Sequence, residues 1–151
     1  MNTGDFVSDF ELPDETGTPR RLSDFLSKGP VVLFFYPAAM TYGCTKESCH
    51  FRDLKADFEK AGGQRVGISA DPVEKQKRFS DKHGFDFPLL SDLGREVAEM
   101  FGVKRGGISI TPVKRSTFVI DSNSKVLAVI HSEVNMNQHA ERALEVLRSR
   151  S

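Results

Sequence analysis

Both cysteines of this 151-residue chain lie close together, directly after its most strand-like segment. The apolar run 31–36 predicts a buried strand, and Cys44 and Cys49 follow it in a segment that begins with Pro37. The turn after a buried strand is where α/β proteins hold reactive groups. Cys44 is predicted to lie in the first turn of a helix, where free N–H groups and the helix dipole favour a thiolate. With a second thiol five residues further on, this arrangement indicates redox chemistry.

The composition argues against several classes of protein. The 21 Lys and Arg residues balance 21 Asp and Glu residues, which argues against a general nucleic-acid or anionic-membrane binder. Two cysteines are too few for a secreted disulfide scaffold, no apolar run approaches the roughly 20 residues of a membrane helix, and residues 1–6 do not resemble a signal peptide. The length predicts one domain over residues 1–151, and the composition indicates a cytoplasmic protein. We also expect a monomer without metal or cofactor.

The helical pattern after the first cysteine predicts where the two thiols point. A helix is predicted over 42–61, with Phe51 and Phe58 on its apolar face and a Gly-Gly pair at its end. Cys44 is seven residues before Phe51 and therefore shares the inward face. Cys49 lies about 140° around the helix from Cys44 and faces elsewhere.

The remaining pattern predicts an α/β fold. Ser23 and Asp71 are predicted to cap helices. The other predicted elements are a hairpin over 6–22, a helical turn at 22–26, a strand at 65–70, a helix at 72–83, an extended piece at 88–90, a helix at 93–101, strands at 116–120 and 126–131, and a helix at 138–148. This order implies a mixed central sheet with helices on both faces. A thioredoxin-like architecture fits it best, although the pattern alone does not distinguish this from other small α/β folds.

Pro37, Thr41 and Cys44 form a unit with chemical meaning, and Gly43 lies within it. Pro37 removes a backbone donor and sets the direction of the chain where the strand ends. Thr41 places a hydroxyl near the sulfur of Cys44, where it can accept from a backbone N–H or donate to the thiolate or to a substrate oxygen. Gly43 permits close approach of the backbone to whatever meets Cys44.

These residues resemble a known family. The spacing of Pro37, Thr41 and Cys44 after a strand resembles the active-site motif of the peroxiredoxins, and residues 43–49 and 51–53 resemble its peroxiredoxin Q branch, also called bacterioferritin comigratory protein. Residues 112–121 resemble the second signature of the family, whose arginine corresponds to Arg115. The resemblance extends over nearly the whole chain.

The resemblance implies a specific chemistry. Members of the family reduce hydrogen peroxide and organic hydroperoxides, so Cys44 is expected to be the peroxidatic thiolate that becomes a sulfenic acid. Arg115 is expected to stabilise the negative charge on the reacting oxygens, assisted by the N–H groups of Gly43 and Cys44. Cys49 is expected to resolve the sulfenic acid into an intramolecular disulfide, which thioredoxin or a similar dithiol reduces. Glu47 either orients Arg115 or caps the start of the helix.

The chain departs from the family pattern at two places. Tyr42 stands where the family usually has proline, which is expected to loosen the start of the helix. Ala38, Ala39 and Met40 are uncharged where the family often has charged residues, which makes the rim of the pocket more apolar and favours bulkier hydroperoxides.

Other interpretations of the thiols exist. A buried cysteine is commonly a small hydrophobic residue. A zinc site formed by Cys44, Cys49 and His50 lacks the usual spacing and a fourth ligand, a Cys–His hydrolase would need a histidine beside Cys44, and the C-x-x-C of thiol–disulfide oxidoreductases is absent. The alternative function is a peroxide sensor with a thioredoxin fold that relays oxidation to a partner. Fast turnover with thioredoxin would distinguish the enzyme from the sensor.

Overall fold

The computed structural model describes residues 1–106 and 111–150. None of the helices in these ranges is long and apolar enough to span a membrane. In chain order the elements are β1 (Glu11–Pro13), β2 (Pro19–Arg21), α1 (Leu22–Leu26), β3 (Val31–Phe35), α2 (Tyr42–Asp53), α3 (Lys55–Ala61), β4 (Gln64–Ser69), α4 (Val73–His83), β5 (Leu89–Ser91), α5 (Glu96–Met100), β6 (Ser116–Ile120), β7 (Val126–His131) and α6 (Met136–Ser149).

The central sheet is mixed, as the order of elements predicts. Its five strands run in the order β5-β4-β3-β6-β7, so β3 lies in the middle. β3 pairs in parallel with β4 and antiparallel with β6. In the antiparallel register Phe35, the last residue of β3, lies opposite Ser116, the first residue of β6. The chain that leaves β3 therefore lies beside the chain that enters β6.

The hydrophobic core lies on both faces of this sheet. Successive side chains of a strand point to opposite faces, so Leu33 and Phe35 pack with α1 and α5 while Phe34 packs with α2, α4 and α6. Phe34 stacks on Phe51 of α2 with ring centroids 4.1 Å apart. Burying one such aromatic side chain contributes roughly 1.5–3 kcal/mol. Helices on both faces of a mixed sheet confirm the thioredoxin-like α/β prediction.

The helix expected over 42–61 is divided in two. α2 ends at Asp53 and α3 begins at Lys55, with Leu54 between them at φ −94° and ψ 20°. At the break, Arg65 Nη1 of β4 donates to the carbonyl of Phe51 at 2.9 Å. A side chain that binds a helical carbonyl is a recognised cause of a helix kink. The periodicity of the sequence does not show this tertiary contact.

Two predicted helix caps are wrong. Ser23 caps no N–H group of α1; instead its N–H and hydroxyl both bind the carboxylate of Asp9, each at 2.8 Å. Asp71 does not cap α4, whose N-cap position is Pro72. The carboxylate of Asp71 accepts a hydrogen bond from the backbone N–H of Ala39, 32 residues earlier in the chain. In both cases a partner distant in sequence displaces the local contact.

Two other helices begin at different residues from those predicted. α5 begins at Glu96 rather than at 93, because the carboxylate of Asp92 accepts from the N–H groups of Val97 and Ala98 at 3.2 and 2.9 Å. α6 begins at Met136, because Asn135 is its N-cap and accepts from the N–H of Gln138 at 3.2 Å.

Candidate active site

Cys44 lies in the first turn of the helix that follows the central strand. The buried residues Tyr36 and Pro37 follow β3, and α2 begins five residues after Pro37. Cys44 is the third residue of α2 and is fully buried. The first N–H groups of a helix have no partner within it, and the positive end of the helix dipole lies there. The position therefore favours negative charge on Cys44 Sγ.

Arg115 reaches the same place from the neighbouring strand. It precedes Ser116, the first residue of β6, and the antiparallel register sets it beside the end of β3. Its Nη2 lies 3.2 Å from Cys44 Sγ and its Nη1 donates to Glu47 Oε1 at 2.7 Å. Burial opposes its charged form, but Glu47 and Cys44 together raise the pKa of Arg115, which stays a cation. One guanidinium thus spans a thiol and a carboxyl.

Glu47 faces Arg115 and not the start of its own helix. It is fully buried on α2, with Oε1 on Arg115 and Oε2 3.4 Å from His139 Nδ1. Of the two roles that the sequence leaves open, the geometry places Glu47 beside the arginine. Burial raises the pKa of Glu47 to about 7, even though Arg115 acts in the opposite direction.

His139 belongs to this cluster, although no sequence motif indicates it. It is fully buried on α6, with Nε2 2.9 Å from the carbonyl of Ser132 and Nδ1 2.8 Å from Thr117 Oγ1. Burial lowers the pKa of His139 to about 4, and the positive charge of Arg115 adds to this effect. A signal was present in the sequence, because His139 shares a helical face with Ala143 and Leu147.

A second buried network holds the loop between β3 and α2. The N–H of Ala39 donates to Asp71 Oδ2 at 2.7 Å, and Ser69 Oγ donates to the same oxygen at 2.7 Å. Lys75 Nζ lies 3.1 Å from Asp71 Oδ1. Met40, the next residue of the loop, has φ 70°, a left-handed conformation that is strained for a side chain of its size. The network from β4 and α4 therefore offsets strain in the loop that leads to Cys44.

Thr41 neither accepts from a backbone N–H of α2 nor donates to the thiol of Cys44. It occupies the N-cap position of α2 without a side-chain cap hydrogen bond. Its hydroxyl donates to the carbonyl of Ala38 at 2.7 Å, which closes the loop on itself. Thr41 is exposed, and a hydroxyl oxygen that donates its proton keeps two lone pairs for another donor.

Gly43 allows the guanidinium to approach the backbone. A Cβ at this position would lie 3.2 Å from Arg115 Nη2 and 3.5 Å from Met136 Cε, so the absence of a side chain leaves room for both. The neighbouring surface is apolar, because Tyr42 is 85% exposed and Met40 is 41% exposed. Ala39, expected on the rim, is buried.

Cys49 lies on the other side of α2. Both cysteines are free thiols, and Cys49 is half-buried whereas Cys44 is buried. Burial raises the pKa of the Cys49 thiol, against the opposing charge of Arg52. Residues five apart in an α-helix have Cα atoms about 8–9 Å apart, beyond the roughly 7 Å limit for a disulfide. The intact helix therefore holds the two thiols apart.

In the described residues, no three His, Cys, Asp or Glu side chains come together in the manner of a metal site. The cluster at Cys44 instead consists of a thiol, a guanidinium, a carboxyl and an imidazole, at the contacts given above. Such a cluster can stabilise a thiolate and a developing negative charge on oxygen.

Comparison with known sequences gives the same family over most of the chain. Residues 3–129 match the AhpC/TSA family. A putative peroxiredoxin of Mycobacterium tuberculosis strain H37Rv is 63% identical over 150 residues, which cover 99% of this chain and 97% of that relative. The chloroplastic peroxiredoxin Q of Sedum lineare is 42% identical over 140 residues, which cover 93% of this chain and 74% of that relative.

Solved structures share the fold. The crystal structure of the peroxidoxin BcpB from Mycobacterium tuberculosis matches with a TM-score of 0.95 and 63% identity, covering 100% of this chain and 99% of that one. A structure of peroxiredoxin Q from Xanthomonas campestris matches with a TM-score of 0.85 and 30% identity, covering 93% and 90% of the two chains.

Proposed function

Because the chain belongs to the AhpC/TSA family, in its peroxiredoxin Q and bacterioferritin comigratory protein branch, we propose that Cys44 and Cys49 carry its thiol peroxidase activity in an intramolecular two-cysteine cycle. The substrates are hydrogen peroxide and organic hydroperoxides. The observation that carries the proposal is the placement of Arg115 Nη2 3.2 Å from the buried Sγ of Cys44.

In the first step the thiolate of Cys44 attacks one peroxide oxygen. An S–O bond forms, the O–O bond breaks, and the second oxygen leaves as hydroxide or alkoxide, which takes up a proton. Negative charge grows on the oxygens in the transition state. Arg115 Nη2 already lies 3.2 Å from Sγ and stabilises that charge without rearranging. Cys44 is also in the first turn of α2, where unpaired N–H groups and the helix dipole add to this stabilisation.

The residues around the thiol prepare it for this step. Glu47 fixes the guanidinium of Arg115 through a 2.7 Å hydrogen bond, so that the second nitrogen faces Sγ. Thr41 has lone pairs to accept the O–H of a hydroperoxide, since its own proton is donated to Ala38. Pro37 ends the strand without a backbone donor, and the apolar surface of Met40 and Tyr42 suits the carbon chain of an organic hydroperoxide.

In the second step Cys49 resolves the sulfenic acid. Its thiolate attacks Cys44 Sγ, an S–S bond forms, and the hydroxyl of the sulfenic acid leaves as water after gaining a proton. Since the intact helix keeps the two residues too far apart, at least the turn from Tyr42 to His50 has to unwind. The largely exposed side chain of Tyr42 contributes little packing to that turn.

The unwinding has a direct test. Hydrogen exchange of the reduced and disulfide forms is expected to show lower protection of residues 42–50 in the disulfide form, with mass spectrometry confirming a Cys44–Cys49 link. Equal protection in the two forms refutes the unwinding, and a disulfide between two chains refutes the intramolecular cycle.

Thioredoxin or a similar dithiol then reduces the disulfide by exchange. We propose that the chain acts as a monomer, because both cysteines of the cycle lie on one helix of one chain, and that it works in the cytoplasm, a reducing compartment that can supply such a dithiol.

The function is tested by peroxide consumption with the purified protein, with and without thioredoxin and its reductase. We expect turnover only with the reductant, loss of peroxide reduction in Cys44→Ser, and accumulation of a sulfenic acid in Cys49→Ser. Near-normal activity in Cys44→Ser would overturn the assignment. Oxidation without turnover would instead favour the sensor that relays oxidation to a partner.

A further inference from the structure

Behind the thiol lies a buried chain of polar groups that ends at a histidine on α6. Glu47 and His139 are both fully buried, and Glu47 joins them to Arg115 and hence to Cys44. The peroxidase cycle described above uses the guanidinium and one oxygen of Glu47. It gives no role to Glu47 Oε2, which has no hydrogen-bond partner although it is buried.

If Glu47 is ionised and His139 is neutral, the buried acceptors of this cluster outnumber its donors by one. Pairing all of them therefore requires one more proton in the cluster. His139 Nε2 lies 2.9 Å from the carbonyl of Ser132, which only accepts, so Nε2 carries a proton. In a neutral imidazole Nδ1 is then an acceptor, and it faces both Thr117 Oγ1 at 2.8 Å and Glu47 Oε2 at 3.4 Å. The hydroxyl of Thr117 supplies one proton for these two acceptors. An ionised Glu47 would leave a buried acceptor unpaired, which costs about 1–3 kcal/mol or more for a charged group.

We propose that Glu47 is a neutral carboxylic acid in the reduced protein, with its proton on Oε2, and that His139 is the positioning residue that keeps the proton there. The proposal rests on the function of Cys44 given above, because its consequence concerns the thiolate. With Glu47 neutral, the positive charge of Arg115 is left for Cys44 instead of being neutralised by the carboxylate.

The charge balance of the buried site supports this assignment. A thiolate at Cys44 and the cation of Arg115 sum to zero when Glu47 and His139 are both neutral, whereas an ionised Glu47 would leave a net negative charge inside the protein. The shifted acidities agree, since burial raises the pKa of Glu47 to about 7 and lowers that of His139 to about 4.

Other charged groups around the cluster are already paired with one another. Glu133 accepts from the backbone N–H of Arg115 at 3.1 Å, and its carboxylate also meets Arg105 at 3.1 Å and His131 at 3.7 Å. Between α2 and α6, His50 lies 3.6 Å from Glu141. At the far end of α6, Arg148 lies 3.1 Å from Asp57 of α3. None of these contacts involves Glu47 Oε2.

Oxidation of the thiol changes this balance. When the thiolate becomes a neutral sulfenic acid, the site loses one negative charge, and the proton on Glu47 is no longer favoured. Glu47 then ionises and binds Arg115 as a carboxylate, while the leaving oxygen of the peroxide takes up a proton. The net charge of the site stays zero before and after the reaction.

Infrared difference spectroscopy tests where the proton lies. Cys49→Ser protein at about pH 6, below the pKa of Glu47, is oxidised with one equivalent of hydrogen peroxide, and the spectrum is compared with that of the reduced form. We expect a protonated carboxylic-acid C=O band in the reduced form that disappears on oxidation. The band should be absent in Glu47→Gln and weaker in His139→Gln. Absence of the band, or a band that persists in Glu47→Gln, overturns the proposal.

The rate of oxidation tests what the proton does. His139→Gln keeps a donor for Ser132 but loses the acceptor Nδ1, so we expect its reaction with hydrogen peroxide to slow about tenfold at neutral pH, with a flatter pH profile near 7. His83→Gln, the same change on a half-buried histidine at the end of α4, is the matched control and should behave as the parent. An unchanged rate, profile and infrared band in folded His139→Gln refute the role of His139. If the infrared band is present in the reduced protein but no peroxide is consumed, the proposed peroxidase function is wrong, while the assignment of a proton to Glu47 remains supported.

Discussion

Replacing Arg115 by lysine separates charge from geometry at the reacting sulfur. The guanidinium donates to Glu47 Oε1 at 2.7 Å and lies 3.2 Å from Cys44 Sγ through two different nitrogens. The single ammonium of lysine keeps the charge but lacks the planar fork that holds two partners in fixed directions. The variant therefore retains one of the two contacts and loses the other.

The magnitude follows from the lost contact. A hydrogen bond to a charged group contributes about 1.5–3 kcal/mol, and if the bond to sulfur or to the reacting oxygens is the one lost, the barrier rises by that amount. This corresponds to a rate roughly 10- to 150-fold lower. If lysine turns to Cys44 instead, the buried carboxyl of Glu47 loses its partner, and the protein is destabilised by a similar amount.

The assay is the second-order rate of reaction of the reduced protein with hydrogen peroxide, measured together with unfolding in urea. Arg142→Lys, the same substitution at an exposed position of α6, is the matched control and should change neither quantity. A rate and a free energy of unfolding for Arg115→Lys that both equal those of the parent would show that the fork geometry does not matter and would refute the reasoning.

Three further outcomes are expected. In Glu47→Gln the free energy of unfolding should rise with pH by up to about 1.4 kcal/mol per unit between about pH 4 and 6.5, because unfolded histidine binds a proton that folded His139 does not. In the parent chain Glu47 takes up a proton on folding between its ordinary pKa of 4.5 and about 7, which gives a slope of the opposite sign. Between about pH 4.5 and 6.5 the free energy of unfolding of the parent should therefore rise less steeply with pH than that of Glu47→Gln, as urea unfolding can check. Asp71→Ala removes the acceptor of the Ala39 N–H and should cost about 1–3 kcal/mol in urea unfolding and slow peroxide reduction; unchanged stability would contradict the loop network. Tyr42→Pro suits the first position of α2, since the preceding residue is already extended at φ −83° and ψ 158°, and it should slow disulfide formation roughly 2- to 5-fold while leaving sulfenic acid formation unchanged, as stopped-flow measurements can check.

Much of the fold could be predicted because its signals are local. The apolar run 31–36 predicted the central strand, and the helical spacing of Phe51 after Cys44 predicted that both face the core. These predictions succeed because the period of a strand or a helix is imposed by backbone geometry, which the chain carries with it wherever it packs.

The two wrong caps and the break in the helix after Cys44 share one cause, which is a contact with a distant part of the chain. Ser23 and Asp71 have the residue types of helix caps, but Asp9 and Ala39 are their partners. The helix after Cys44 is broken where Arg65 reaches the carbonyl of Phe51. Local preference amounts to about 1 kcal/mol at such positions, which a single tertiary hydrogen bond can offset.

The sequence by itself predicted the chemistry that we propose for the site, since a thiol at a helix start and a second thiol five residues on are properties of residue type and spacing, and the resemblance to the family pointed to Arg115. Only the tertiary structure decided which groups surround that thiol. The register of β3 against β6 brings Arg115 to Cys44, and the packing of α6 on α2 brings His139 to Glu47. Those distances depend on how separate elements pack, and burial then shifts the proton affinities of Glu47 and His139 in opposite directions, which no spacing along the chain can specify.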